Sequence, residues 1–317
     1  MKRRYVVADV FTDQPFLGNP VAVVLDAEDL SPEQMQRIAV EFGYSETTFV
    51  LPPDDAAHTA RVRIFTPSRE IPFAGHPNVG TAFVLAHYAA MSGTTLPETL
   101  LFEEIAGLVP VRLLKDKGKV TGAELVTPEA LSCRAEVSPE KVAACLSLTA
   151  EDIRTDTHNP LVASVGLPFL VVELVSRDAL RRCMPNLQGF RATLPLDGAV
   201  SVYAYTRDKD AGEMGDLQAR MLTPRMTEDP ATGSATAAVT ALLARLQNKT
   251  TLSLQVSQGV DMGRASLLYS GYDASSGQPV VRVGGSCVIT FEGAFTLQGS
   301  IAGTGFASYK NSPEGTS

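Results

Sequence analysis

Cysteine is scarce in this sequence. The four present, Cys133, Cys145, Cys183 and Cys287, do not stand at the separations that a metal site uses. Scattered thiols of this kind read as reduced, buried side chains of a cytoplasmic protein, not as a disulfide framework. No His/Cys cluster has ligand spacing and no Gly-rich phosphate loop follows a strand, so neither a metal nor an organic cofactor is expected. Long apolar runs are missing too: none approaches the roughly 18 residues of a membrane span. The basic start, "MKRRYVVADVF", is interrupted by Asp9 and followed by Asp13, which is not the pattern of a signal peptide. Dense Lys/Arg tracts are absent, and 27 basic against 35 acidic residues give a net charge of −8. That balance argues against nucleic acid or an anionic membrane as a partner. A small anionic substrate is still allowed, because it responds to local donors and not to net charge.

What is present is an ordinary globular composition, 44% apolar and 20% charged over 317 residues. At roughly 150 residues per domain, two domains are expected. "RRYVVADVFT" and "NPVAVVLDA" read as strands joined by the turn signal "DQPFLGNP". "SPEQMQRIAVEFG" reads as a helix capped by Ser31, opened by Pro32 and closed by Gly43. "YSETTFVL", "ARVRIFTP" and much of 99–128 read as strands. The second half repeats the grammar, with a Ser-Pro-initiated helix in "SPEKVAACLSL" and strands in "GLPFLVVELVS" and "GAVSVYAYTR". The strands "TLSLQVSQG", "RASLLYSGY", "QPVVRVGG" and "SCVITFEGAFTLQG" follow, then a polar tail expected to be disordered.

The parallel can be made concrete. Phe65-Thr66-Pro67 precedes Gly75 and a helix; Leu222-Thr223-Pro224 precedes Gly233 and another, with one extra residue in the second copy. Such long-period similarity points to two halves built on one plan. "GLPFLVVEL" is expected to take in the second half the place of "GYSETTFVL" in the first.

The two helices are the informative part. From Ala235 to Leu243 only Thr236 and Thr240 are polar, and a helix that is apolar all round is buried. Its first amide N–H groups have no partners inside the helix. Aided by the positive end of the helix dipole, they make a ready anion site. "AGHP" and "PATGS" therefore stand where a carboxylate or enolate could bind. Plain capping by Ser234 or Thr232 is the alternative.

"DVFTDQPFLGNPVAVVLDA", "YSETTFVL", "FTPSREIPFAGHPNVGTAFVL" and "EDPATGSATAA" together resemble the PhzF-like isomerase family of phenazine biosynthesis, over nearly the whole chain. The resemblance implies an α+β fold similar to diaminopimelate epimerase. Each of two pseudo-symmetric halves would be a β-barrel-like sheet around a central buried helix, with the active site between them. It implies isomerisation of trans-2,3-dihydro-3-hydroxyanthranilate or a similar small carboxylated compound, without metal or organic cofactor, by a homodimer. Its acid/base carboxylate falls on Glu46; polar active-site positions fall on His76, Asp229 and Ser234. Gly75 and Gly233 would offer backbone N–H groups, and Asn19 would lie near the substrate. On this plan residues 1–130 form the half with Glu46 and the "AGHP" helix. Residues 131–297 form the half with the "DPATGS" helix, its last strand free to return to the first; 298–317 are a tail.

Glu46, expected to lie on one strand face with Tyr44, should have a raised pKa if partly buried beside it. His76, at a helix N-terminus, should stay neutral, donating to a substrate oxygen or sharing a proton with Asp229. Neither central helix begins with the cysteine that epimerases of the related fold use, and no opposing base is evident. Proton removal and return on one face is therefore expected over racemisation. The alternatives are an amino-acid racemase or epimerase, and a metabolite-binding protein without catalysis.

Overall fold

The computed structural model describes residues 2–297; the polar tail, 298–317, lies outside the described residues. The first half holds strands β1 (Lys2–Val10), β2 (Asn19–Val24), β3 (Glu46–Leu51), β4 (Ala60–Phe65), β5 (Glu70–Ile71), β6 (Thr99–Glu104), β7 (Gly107–Asp116) and β8 (Lys119–Val126). Helix α1 (Pro32–Phe42) joins β2 to β3, and α2 (Gly75–Met91) joins β5 to β6. The sequence signals for α1 are all used. Ser31 and Gln34 form a reciprocal capping box, Pro32 opens the first turn, and Gly43 ends it at φ 68°.

The second half holds β9 (Ser132–Glu136), β10 (Ile153–Arg154), β11 (Leu161–Ser164), β12 (Pro168–Leu174), β13 (Val202–Thr206), β14 (Leu217–Leu222), β15 (Glu228–Asp229), β16 (Thr251–Gln258), β17 (Ser266–Asp273) and β18 (Val280–Thr296). Its helices are α3 (Pro139–Leu146), α4 (Arg177–Arg182), α5 (Leu187–Thr193) and α6 (Gly233–Leu246). The sequence reading missed α4 and α5, which are six and seven residues long and too short to display a helical period. It also split β18 into two strands where the chain forms one of 17 residues.

Strand pairing repeats in the two halves. β1 is antiparallel to β2, β2 parallel to β3, β3 antiparallel to β4, β4 parallel to β6, and β6, β7 and β8 form a meander. β11, β12, β13, β14, β16, β17 and β18 follow the same succession of antiparallel and parallel pairings. β8 pairs with the start of β18, and the rest of β18 pairs with β1. The first barrel is thereby closed by a strand that also belongs to the second sheet, and the two halves share one continuous backbone ladder.

Register fixes the equivalences residue by residue. Thr47 lies opposite Phe65 and Ala22; Val202 lies opposite Leu222 and Leu170. Hence Glu46 corresponds to Ser201, and Asn19-Pro20 to Leu167-Pro168. This corrects the expected alignment: "GLPFLVVEL" is the counterpart of β2, not of β3. β2 and β12 share a Gly-x-Pro entry that β3 lacks; matching the strands by hydrophobicity alone passed over that signal.

Each half wraps its strands around one helix. In α2, Val79, Ala82 and Val84 have no exposed surface; in α6 neither have Ala235, Ala237, Ala238, Ala241 and Leu242. Small residues bring helix and strand close. A Cβ on Gly80 would lie 2.5 Å from Val21 Cγ1, so α2 rests directly on β2, the strand that begins with Asn19. Truncating a buried leucine in such a core costs about 2–5 kcal/mol, enough for these helices to be fixed frames for their first turns. Among the described residues no helix is long and apolar enough to cross a membrane.

Candidate active site

The N-termini of the two buried helices meet. A Cβ built on Gly75 would have the backbone nitrogen of Ser234 as its nearest neighbour, at 3.9 Å. Neither helix is capped by a side chain. The cap position of α2 is Ala74; that of α6 is Thr232, whose hydroxyl donates instead to Asp229 Oδ2 at 2.6 Å. First-turn amide donors from both halves are thus free of side-chain caps at one place, and capping by Ser234 or Thr232 is ruled out as the role of these polar residues. Ser234 is the second residue of α6 and is partly exposed.

Around this junction the candidate side chains come from five short segments. Glu46 opens β3, its side chain 18% exposed, with Oε2 3.5 Å from His76 Nδ1. Burial, reinforced by the negative charge of Asp229, pushes the Glu46 carboxyl up to about 8. The expected influence of Tyr44 is not found. Tyr44 precedes the strand and stacks on Phe42 with ring centroids 6.2 Å apart. The raised pKa stands on burial and Asp229 instead.

His76 is buried, and its imidazole is pushed down to about 3, chiefly by burial, with the Pro20 carbonyl pulling the other way. It is neutral, as expected, but desolvation is the main reason where the helix dipole was the expected one. Its close ionisable neighbour is Glu46, and its Nε2 has no hydrogen-bond partner among the described residues.

Asp229 closes the site from the other half. Burial raises it to about 6, while bonds from Thr232, Asn19 and Ser45 favour its ionised form. Asn19, fully buried, donates to Asp229 Oδ1 and to the Ala231 carbonyl, each at 2.9 Å. It therefore braces Asp229 and the turn before α6, a closer definition than nearness to substrate. Its own Oδ1 has no partner among the described residues.

Three contributors escaped the sequence reading. Gln258 wraps the turn into α6: Oε1 accepts from Thr232 N at 3.0 Å, and Nε2 donates to Asp229 O at 2.8 Å and Thr232 Oγ1 at 3.0 Å. Arg220 forms a two-pronged ion pair with Glu228 beside Asp229, and Arg63 does the same with Glu70 ahead of His76. Such forks fix carboxylate geometry more firmly than a lysine would. Extending the Gly75–Gly233 alignment outward would have found the Arg63/Arg220 and Glu70/Glu228 pairs.

At neutral pH the arrangement presents a protonated Glu46, an ionised Asp229 and a neutral His76 beside two sets of amide donors. This set can exchange a proton with a carbon acid and hold the resulting anion. Among the described residues no three His, Cys, Asp or Glu side chains gather as metal ligands.

A family model described as phenazine biosynthesis-like protein matches residues 8–293. Trans-2,3-dihydro-3-hydroxyanthranilate isomerase of Pseudomonas aeruginosa is 37% identical over 274 residues, 84% of this chain and 89% of that protein. Among solved structures, a PhzF-family phenazine biosynthesis protein of Bacillus anthracis superposes with a TM-score of 0.83 at 24% identity, covering 94% of this chain and 100% of that one. A hydroxyproline epimerase of Agrobacterium vitis has a TM-score of 0.58 at 13% identity, covering 93% and 91%, which is a likeness of fold alone.

Proposed function

We propose, from the premise that this chain belongs to the PhzF-like isomerase family of phenazine biosynthesis-like proteins, a cofactor-independent proton shift on a small carboxylated substrate. Trans-2,3-dihydro-3-hydroxyanthranilate, the substrate named for the Pseudomonas aeruginosa relative, is the first compound to try. The observation that carries this reading is the Glu46 carboxyl, raised to about 8 and facing His76 at 3.5 Å where the two helix N-termini meet.

In this mechanism the ionised form of Glu46 takes a proton from one carbon. The C–H electron pair moves into the adjacent π-system, and negative charge grows toward the substrate carboxylate. Amide donors of α2 and α6 are aimed where that charge develops, and a preorganised donor of this kind contributes about 3–4 kcal/mol. Neutral His76 donates to a substrate oxygen. Protonated Glu46 then returns its proton to a second carbon on the same face, and the double bond migrates with no net change in composition.

A racemase is the weaker reading. Racemisation needs an acid and a base on opposite faces, and the position equivalent to Glu46 is Ser201, a poor acid and a poor base. We further infer a homodimer with no metal requirement. Turnover unaffected by chelator and a dimeric mass by light scattering are the expected results.

The test is proton NMR in deuterium oxide with trans-2,3-dihydro-3-hydroxyanthranilate and other carboxylated dienes. The expected result is a migrated double bond without loss of configuration at untouched centres. In Glu46→Gln, turnover should fall by about 10²–10⁴-fold while binding persists. Tight binding with no turnover in the natural sequence would identify a metabolite-binding protein instead.

A further inference from the structure

β4 pairs with β6 through Ala60↔Phe102, and β14 pairs with β16 through Leu217↔Val256. Phe65 and Leu222 are equivalent, so Ala60 corresponds to Leu217, Phe102 to Val256 and Glu104 to Gln258. Gln258 is the side chain that wraps the turn into α6. Glu104 stands at the same place under the turn into α2, the turn that carries Gly75 and His76.

The surroundings of Glu104 agree with that placement. The Ala106 N–H donates to the Pro72 carbonyl at 3.2 Å, so the end of β6 is already tied to the pre-helix segment. Both carboxyl oxygens of Glu104 are enclosed, as is the side-chain amide of fully buried Asn78 in the first turn of α2. None of these atoms completes a hydrogen bond among the described residues. Burial pushes Glu104 up to about 8, the nearby Asn78 amide opposing. A protonated carboxyl has one donor and one acceptor, the minimum needed to imitate the glutamine of the other half. An unmet polar pair in a core is costly, and such costs are found where a loop must hold or change a defined position.

We propose that Glu104 and Asn78 are positioning residues that set the Gly75-His76 turn, and with it the direction of the His76 ring toward Glu46. The catalytic part of this inference rests on the isomerase reading; the geometric part does not.

The test uses the full chain with ¹⁵N-labelled histidine. Only four histidines are present, and loss of one set of ring signals in His76→Asn assigns His76. The natural protein and Glu104→Gln should give one sharp set of His76 signals, because glutamine is what the second half uses. Glu104→Leu should broaden or split them while leaving the unfolding midpoint equal or higher, since a buried unmet carboxyl has been removed. With a substrate that the natural protein turns over, Glu104→Leu should lower kcat about tenfold or more with KM within about threefold, and glutamine should restore it. Should Glu104→Leu not fold, Asn78→Ala carries the same expectation for the His76 signals. Unaltered His76 signals in both variants, or a Glu104→Gln protein as perturbed as Glu104→Leu, would overturn the proposal. Absence of turnover in the natural protein would count against the isomerase reading alone, because the ring signals need no substrate.

Discussion

Glu46 heads β3 and Ser201 stands at the equivalent position just before β13, and only the first can exchange a proton near neutral pH. The same asymmetry runs through the site. Asn19 corresponds to Leu167, Asp229 to Ile71, and His76 to Ser234. Two halves with one backbone plan thus supply different chemistry to one junction. Symmetric donors suit binding a planar anion from both ends, while a single base suits transfer on one face.

The burial of Glu46 has a measurable effect on stability. Its pKa is near 8 in the fold against about 4.5 for an unburied glutamate. Between those values the folded chain holds a proton that the unfolded chain has released, so this residue's contribution to stability falls as pH rises through that window. Glutamine has no charge to bury. Glu46→Gln should therefore be more stable than the natural protein, by about 1 kcal/mol or more at pH 8 and little at pH 5. Urea unfolding at the two pH values measures it, and a pH-independent difference would contradict the raised pKa.

Activity should show the same group from the other side. In the proposed mechanism proton removal needs ionised Glu46, so kcat/KM should rise with pH, half-maximal near pH 8, to a plateau above it. The charge of Asp229 is one cause of the shift, so Asp229→Asn should slow turnover and move the remaining limb to lower pH. The limb belongs to the interacting pair, so its midpoint is an apparent value. A limb that stays in place would mean that Asp229 does not face Glu46 in the working enzyme.

How much of this was readable beforehand follows from the range of each interaction. The two buried helices were legible because apolar helices with Gly-led starts declare themselves locally, whereas a site between the halves came through the family resemblance. Glu46, His76 and Asp229 came through a family resemblance; spacing alone would have left Glu46 as a solvated strand residue. The bond from Asn19 to Asp229 spans 210 positions in the chain, and no local pattern carries it. The counterpart of Glu46 was sought in "GLPFLVVEL", although its Gly-x-Pro entry is that of β2, and only the strand register identifies it as Ser201. Gln258 and Glu104 became visible once that register was known.

Asn19 gives a sharper test of the cross-half brace. Asn19→Leu installs the residue of the equivalent position in the second half and keeps the branched outline of the side chain, though not its smaller volume. It removes a donor to an ionised carboxylate, a bond worth about 1.5–3 kcal/mol. Because that bond favours the charged form, Asp229 should titrate higher in the variant. Turnover at pH 7 should fall by about 10–100-fold, with partial recovery in Asn19→Gln only if the longer amide still reaches. Full activity in Asn19→Leu would remove Asn19 from the site.

The two glycines at the helix starts separate an anion site from two adjacent helix ends. Gly233, like Gly75, was expected to offer its backbone N–H, but a Cβ there would meet Phe11 and Val283 at ordinary contact distance, 3.5 Å, and not the junction. A Cβ on Gly75 would instead face the Ser234 nitrogen at 3.9 Å. Neither glycine has a positive φ, so the fold tolerates a side chain at both. Gly75→Val should therefore place methyl groups between the two sets of donors. Carboxylate binding should weaken by about tenfold or more, the loss of one charge-assisted hydrogen bond. Gly233→Ala should bind nearly as the natural protein does. Calorimetric titration of both variants with a carboxylated substrate analogue decides the matter. If Gly75→Val binds normally, the two helix N-termini do not share the ligand, and charge stabilisation in this site must come from His76 and Ser234 alone.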